Sequence, residues 1–146
     1  MRKSSIFCIM FFLFSGFFVN DLYSGEIIEY HPLPFLTFVD YEIIETNWDQ
    51  DTVTRSLRVI VQNTSDEILS NVTLRIDSLP NYASITNTET SLGDITPGSI
   101  VKTTDTFIIT VNTASMENNE FKIIWQVECD LNGEHILDET SVIEYL

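Results

Sequence analysis

The sequence predicts an all-β protein with the strand arrangement of a Greek-key sandwich, preceded by an N-terminal export signal. Beyond residue 24, apolar residues alternate with polar ones and do not recur with the helical period of 3.6 residues. Turn sequences separate the alternating runs at spacings of roughly 8 to 15 residues, which is typical of β-sandwiches. The remaining chain, about 120 residues, is long enough to bury a core of its own. Another all-β barrel or a jelly roll would produce a similar pattern.

Residues 1–24 have the three parts of a secretory signal peptide. Arg2 and Lys3 precede an apolar run from Ile6 to Val19, and the small Ser24 suits the position before a cleavage site. The alternative is a retained membrane anchor, but the run is shorter than the ~20 apolar residues that a bilayer crossing needs. We therefore expect a secreted, periplasmic or cell-surface protein with no membrane span in its mature chain.

The next segment, residues 25–35, is predicted to be an extended lead-in, because Pro32 and Pro34 each push the preceding residue out of helical space. The sandwich domain follows at 36–146. Its clearest strand is Phe121 to Asp130, in which every second residue is apolar, and the Asn132-Gly133 pair after it favours a tight hairpin. The seven predicted strands are 37–46, 54–63, 71–78, 84–88, 100–111, 121–130 and 135–145.

The inward phase of these strands predicts one hydrophobic core between two sheets. The core residues expected from this phase are Leu57, Val59, Leu74, Ile76, Phe107, Ile109, Ile123, Trp125 and Val127. Cys8 lies in the leader, so Cys129 is the only thiol of the mature chain and no intramolecular disulfide is expected. Cys129 has the phase of a buried small apolar residue, although pairing between chains is the alternative.

Four stretches resemble a family of bacterial extracellular immunoglobulin-like domains of the cell-adhesion-related or surface-repeat type. They are 59–65, 69–76, 92–99 and 105–111, with an Asn-Thr-Ser turn after the second predicted strand and a Gly-Asp-Ile-Thr-Pro-Gly turn before the fifth. The resemblance implies a seven-stranded immunoglobulin-like sandwich and an extracellular interaction or scaffolding role. It transfers no site residue, because the family has no shared site motif.

The charge of the chain excludes one class of partner. The sequence has 22 acidic and 7 basic residues, a net charge of −15, and loss of Arg2, Lys3 and Asp21 with the leader makes it −16. Nucleic acids and anionic membranes bind clustered Lys and Arg, so such partners are not expected. The acidity itself is typical of a soluble protein outside the cell, or of a salty habitat that screens self-repulsion, and it indicates no particular ligand.

No enzyme is expected, because the chain lacks a nucleophile elbow, a zinc-protease helix, a phosphate-binding glycine loop and a cysteine pair at zinc spacing. His31 and His135 are the only side chains that ordinarily titrate near neutral pH, and both are expected on the surface. No cofactor is expected either. Asp49 and Asp51 are weak calcium candidates, because two carboxylates share one turn, but the turn lacks the full ligand series and Asp also favours turns by itself.

Two surface features point to binding. Ile60 and Ile108 break the polar outer phase of their strands, which are neighbours in an immunoglobulin-like topology, so they are candidates for an apolar protein-binding patch. Scattered surface isoleucines are the plainer interpretation. Trp48 is a candidate for stacking on a sugar, with Tyr41 and Tyr82 as companions, or else a ring that caps the end of the sandwich.

The sequence thus favours a non-enzymatic exported domain that binds or scaffolds a protein in the cell envelope or outside the cell. A carbohydrate-binding module and a fimbria-like structural subunit are the alternatives. The fimbria-like alternative is weakened by the predicted last strand, because strand-complemented pilins leave a sheet edge open for a partner. The identity of the protein or glycan partner and the oligomeric state do not follow from the residues.

Overall fold

The computed structural model describes residues 28–30, 33–116 and 120–145, with residues 28–30 and 145 described by their backbone alone. The expected leader at 1–24 and His31 lie outside the described residues. In the described part, the chain forms ten strands and one 3-10 helix, Thr113–Ser115. The strands are β1 Ile28–Tyr30, β2 Leu36–Asp49, β3 Thr52–Asn63, β4 Leu69–Ser78, β5 Ala83–Thr86, β6 Glu89–Ile95, β7 Ile100–Lys102, β8 Phe107–Asn112, β9 Glu120–Leu131 and β10 Glu134–Tyr145.

The strands form two antiparallel sheets. One sheet has the order β1-β10-β9-β4-β6 and is called the β9 sheet below. The other has the order β2-β3-β8-β5, with β7 pairing β3 beside β8, and is called the β3 sheet. The predicted all-β sandwich is confirmed, and so is the neighbour relationship between the second and fifth predicted strands, which are β3 and β7–β8.

Three strands were not predicted separately. β1 and β6 were missed, and residues 100–111 form two strands where the sequence predicts one. The break lies at Thr103, which is buried: its N–H donates to Val59 O at 2.9 Å, and its Oγ1 accepts from Val59 N at 3.1 Å. A threonine side chain here provides the acceptor that a strand backbone would supply, so the chain leaves the sheet and re-enters it at β8.

Local turn chemistry sets the register at both long hairpins. Asn132 and Gly133 have φ of 53° and 80°, so the predicted Asn-Gly turn joins β9 to β10 and pairs Leu131 with Glu134. At the β2–β3 hairpin, Gln50 also has positive φ, and Asp49 pairs with Thr52. The registers place alternate residues of each strand in the core.

The core between the sheets contains all nine predicted residues, each buried. Trp125 lies at its centre, with ring centroids 5.4 Å from Phe38 and 5.0 Å from Phe107. Cys129 is buried and free, and its pKa is raised by burial and by the neighbouring Asp130. Trp125 and Cys129 thus occupy the interior positions that their phase predicts.

The segment expected as a lead-in packs with the sandwich. β1 pairs with the end of β10, and Leu33 and Phe35 are buried in the same core as the strands. Packing therefore continues across residue 36, where the sequence placed the start of the domain. Over the described residues, no helix has the length and apolar character required to traverse a bilayer.

Candidate functional site

The outer face of the β3 sheet carries both isoleucines that the sequence singled out. Ile60 and Ile108 point away from the core, because their neighbours Val59, Val61, Phe107 and Ile109 are buried. Both isoleucines are half-buried. Ile108 pairs with Ser56, which precedes Ile60 by four residues on β3. At the rise per residue of a strand, Ile60 and Ile108 therefore lie roughly 13 Å apart along β3, with Arg58 between them.

The nearer apolar neighbour of Ile60 is Ile100, which was missed from the sequence. Ile100 pairs with Gln62 and Lys102 pairs with Ile60, so Ile60 and Ile100 are diagonal neighbours across β3 and β7. Such neighbours lie roughly 7–8 Å apart, within reach of branched side chains. Ile100 is 59% exposed. The alternation of the predicted strand 100–111 already points Ile100 outward, but its place beside Ile60 depends on the register between β3 and β7.

A charged cluster covers this part of the face. Lys102 Nζ lies 3.0 Å from Glu42 Oε1, and Arg58 Nη1 lies 3.5 Å from Glu42 Oε2. Because Lys102 is on β7 and Glu42 is on β2, the Lys102 side chain crosses β3 beside Ile60, which accounts for the partial burial of that isoleucine. The hydrogen bond from Lys102 and the charges of Lys102 and Arg58 hold the pKa of Glu42 below its ordinary value, against a smaller rise from desolvation.

We call this surface the isoleucine face and define it as Ile60, Ile100 and Ile108 with Glu42, Arg58 and Lys102. It combines apolar side chains with two of the five basic residues that follow the leader. Glu42 lies between the two cations, and Asp40, which pairs with Ile60, adds a second carboxylate, so the charges around Ile60 balance in a strongly acidic chain. An acidic or neutral partner could approach this surface more readily than the rest of the domain.

Trp48 lies at the other candidate position, near the tip of the β2–β3 hairpin. It is 63% exposed and pairs with Val53. Tyr82 adjoins Ala83 at the same end of the sheet, but β3 and β8 lie between it and Trp48, a separation of roughly 14 Å at strand spacing. Tyr41 is buried in the core, so it cannot accompany Trp48 on a sugar, and this expectation was wrong.

The two aspartates at the hairpin tip accept hydrogen bonds through their backbone carbonyl groups. Asp49 O accepts from Thr52 Oγ1, and Asp51 O accepts from both N and Oγ1 of Thr113. Within the ranges that the structure describes, no three His, Cys, Asp or Glu side chains gather where they could hold a metal ion. Calcium at Asp49 and Asp51 gains no support from this arrangement.

His135 lies on the exposed outer face of the β9 sheet, between two acidic side chains. Its Nδ1 is 3.1 Å from Asp130 Oδ1 and its Nε2 is 3.4 Å from Glu128 Oε1. The pKa of Asp130 is lowered by hydrogen bonds from Asn71 and His135. The histidine therefore takes part in a surface charge network beside the β9–β10 turn.

Comparison with known proteins identifies the fold. No family model matches the chain, and no curated protein sequence matches it. The GAE domain of GGA2p from Saccharomyces cerevisiae is similar in structure, with a TM-score of 0.51, 15% identity and coverage of 82% of this chain and 96% of that one. The GAE domain of yeast GGA1 is similar with a TM-score of 0.57, 11% identity and coverage of 83% and 100%.

These likenesses confirm the predicted immunoglobulin-like sandwich fold and, at these identities, show the fold alone. Neither neighbour is a bacterial surface module, so the adhesion-type resemblance stays a prediction. The chain is an immunoglobulin-like β-sandwich.

Proposed function

We propose that the protein is a non-enzymatic domain for protein–protein interaction or scaffolding, exported to the cell envelope or beyond, and that the isoleucine face contacts its partner. The observation that carries the proposal is the diagonal proximity of Ile60 and Ile100 across β3 and β7, beside the Arg58–Glu42–Lys102 cluster. Protein interfaces commonly have an apolar centre with arginine and a polar rim.

The composition of this face supports a partner of moderate polarity. Ile60 and Ile108 are half-buried, so Ile100 offers most of the free apolar surface, and the cations beside it can pair with carboxylates of the partner. Binding would remove Glu42 from water, but Lys102 and Arg58 already neutralise its charge, which reduces the desolvation cost. The partner contact is thus expected to centre on Ile100 and Arg58.

Export is the second part of the proposal and rests on the N-terminal pattern of residues 1–24. Protein recovered from its native host should begin near Gly25 and be found outside the cytoplasm. N-terminal sequencing that finds Met1 in a membrane fraction would contradict this part while leaving the contact face open to test.

The contact face can be tested by in-cell crosslinking of the tagged protein, with Ile100→Lys compared with Leu137→Lys. The two residues are matched, since Leu137 is 57% exposed and lies on the outer face of the opposite sheet. We expect Ile100→Lys and Ile60→Lys to abolish one specific adduct and Leu137→Lys to preserve it. Equal loss with both Ile100→Lys and Leu137→Lys would overturn the assignment of the face.

A carbohydrate ligand is the second candidate, and the observation that favours it is the exposed ring of Trp48. Sugars stack on accessible aromatic faces, and Trp48 is the most exposed of the large apolar side chains in the described part of the chain. Under this alternative, Trp48→Ala abolishes retention on a polysaccharide column and Ile100→Lys has no effect. The opposite pattern supports the protein-binding proposal.

A further inference from the structure

The C-terminal half of β2, from Glu45 to Asp49, is an open sheet edge and is called the far half below; the residues before it are the near half. β2 is the outermost strand of the β3 sheet over the described residues, and it pairs only with β3. From Glu45 to Asp49 the pairing with Ser56 to Thr52 runs through five consecutive residues without a bulge. Every side chain from Ile44 to Asp49 is exposed. One row of backbone N–H and C=O groups therefore faces outward along a regular strand.

The near half of the same strand is protected in ways that the far half is not. Bulges interrupt the pairing between Phe38 and Asp40 and between Ile43 and Glu45. Asp40 Oδ1 also accepts from Tyr41 N at 2.7 Å, so this backbone donor is occupied. Natural edges are commonly blocked by bulges, proline or charged side chains, lysine above all; residues 45–49 contain no bulge, proline or lysine, and their only charges are those of Glu45 and Asp49.

The two sides of this open segment differ in chemistry. Glu45, Asn47 and Asp49 share the outer side with Ser56, Thr54 and Thr52, whereas Thr46 and Trp48 share the inner side with Arg55 and Val53. An added strand would thus meet carboxylates on one side and a threonine and an indole ring on the other. The segment has no basic residue of its own.

We propose that this segment, Ile44–Asp49, which we call the acidic edge, docks an extended basic segment of another protein by strand addition, with Lys or Arg alternating with apolar residues. Main-chain hydrogen bonds would supply the pairing, and the alternation would place cations against Glu45 and Asp49 and apolar side chains against Trp48. A second copy of this chain is disfavoured, because its own acidic edge would bring like charges together in a protein of net charge −15. This proposal does not depend on the isoleucine face.

The test uses the full chain, expressed with its own N-terminus, and a labelled peptide of sequence Lys-Val-Lys-Val-Lys-Val as the probe. Binding is measured by fluorescence anisotropy, and the site is mapped by amide chemical shifts. We expect the probe to shift the amides of residues 44–49, and we expect no binding of Glu-Val-Glu-Val-Glu-Val or of a probe N-methylated along one edge. Ile100→Lys should leave binding unchanged, which separates this test from that of the proposed function.

Charge-matched variants separate docking from general attraction to an acidic protein. Glu45→Lys with Asp49→Lys should weaken probe binding about tenfold or more, whereas Asp66→Lys with Glu67→Lys, in an exposed turn, should change it less than about twofold. Equal effects of the two pairs, shifts that map outside residues 44–49, or sedimentation equilibrium showing a dimer broken by Glu45→Lys would each overturn the proposal. If the first pair fails to fold, the amide shifts of the unaltered protein decide alone.

Discussion

Trp125 Nε1 donates a hydrogen bond of 3.1 Å to Tyr41 Oη in the centre of the core, and this bond joins the two sheets. Trp125 belongs to β9 and Tyr41 to β2, so the contact links residues 84 positions apart in the sequence. The two rings are also stacked, with centroids 6.4 Å apart. The tryptophan thereby fills the interior and satisfies its one polar atom at the same place.

Tyr41→Phe should destabilise the domain by about 1–3 kcal/mol, because the buried indole N–H loses its acceptor while the packing volume is kept. Urea unfolding of the purified protein measures the change. In a Trp125→Phe background the same substitution should have a much smaller effect, since no indole N–H remains. Equal effects in both backgrounds would show that the bond contributes nothing specific.

The Asn63 side chain links the end of β3, the following turn and the last residue of β6 by hydrogen bonds. Its side chain is fully buried, with Nδ2 donating to Glu67 O and to Ile95 O at 2.8 Å each, and Oδ1 accepting from Ser65 N at 2.9 Å. We expect Asn63→Ala to cost about 2–4 kcal/mol, because Ile95 O loses the side-chain donor, Glu67 O keeps only Ser65 Oγ, and Ser65 N loses its acceptor. The exposed Asn81 is a control, and its replacement by alanine should change the free energy of unfolding by less than about 0.5 kcal/mol. If Asn63→Ala lowered the free energy of unfolding no more than Asn81→Ala does, the buried hydrogen bonds of Asn63 would not stabilise the fold as proposed.

Glu42 should make the stability of the protein depend on acid pH. Its pKa is lowered from 4.5 by the hydrogen bond from Lys102 and by the charges of Lys102 and Arg58. The folded state therefore favours the ionised carboxyl, and its stabilising contribution is present above pH 4.5 and lost as the pH falls through the lowered pKa.

Urea unfolding of the unaltered protein and of Glu42→Gln over a pH series checks this dependence. The difference between the two should be steady near neutral pH and shrink in acid, and salt should reduce it at neutral pH because the groups are partly exposed. If the Glu42→Gln difference grew in acid, the folded state would favour the protonated carboxyl, and the predicted direction would be wrong.

Cys129 should resist thiol reagents while the domain is folded. The thiol is buried on β9, and burial with the nearby Asp130 raises its pKa, so the reactive thiolate is both inaccessible and scarce. Labelling with iodoacetamide should become fast only at denaturant concentrations that unfold the chain. Rapid labelling of the native protein would indicate that β9 opens locally.

Alternation and turn chemistry were enough to predict most of this fold. The phase of Phe121 to Cys129 alone placed five residues in the core, and Asn132-Gly133 fixed the last hairpin because both residues adopt positive φ. Such signals depend only on residues close together in the sequence, so they can be recognised in one sequence without an alignment.

The parts that were missed depend on contacts distant in sequence. The break between β7 and β8 requires Thr103 to bond with Val59, 44 residues away. β6 pairs with β4 through an interrupted register, with Gly93 at a positive φ of 68°, which obscures the alternation. For the same reason the sequence paired Ile60 with Ile108, whereas the register makes Ile100 its apolar neighbour.

The most direct test of the isoleucine face is photo-crosslinking in the native host, with a photoreactive residue placed at position 100 in one variant and at position 137 in another. Both positions are similarly exposed and lie on opposite outer faces of the sandwich, so they sample the surroundings equally. We predict that position 100 yields one discrete protein adduct and that position 137 does not. The same adduct at both positions, or an adduct at position 137 alone, would contradict the assignment of the isoleucine face as the contact surface.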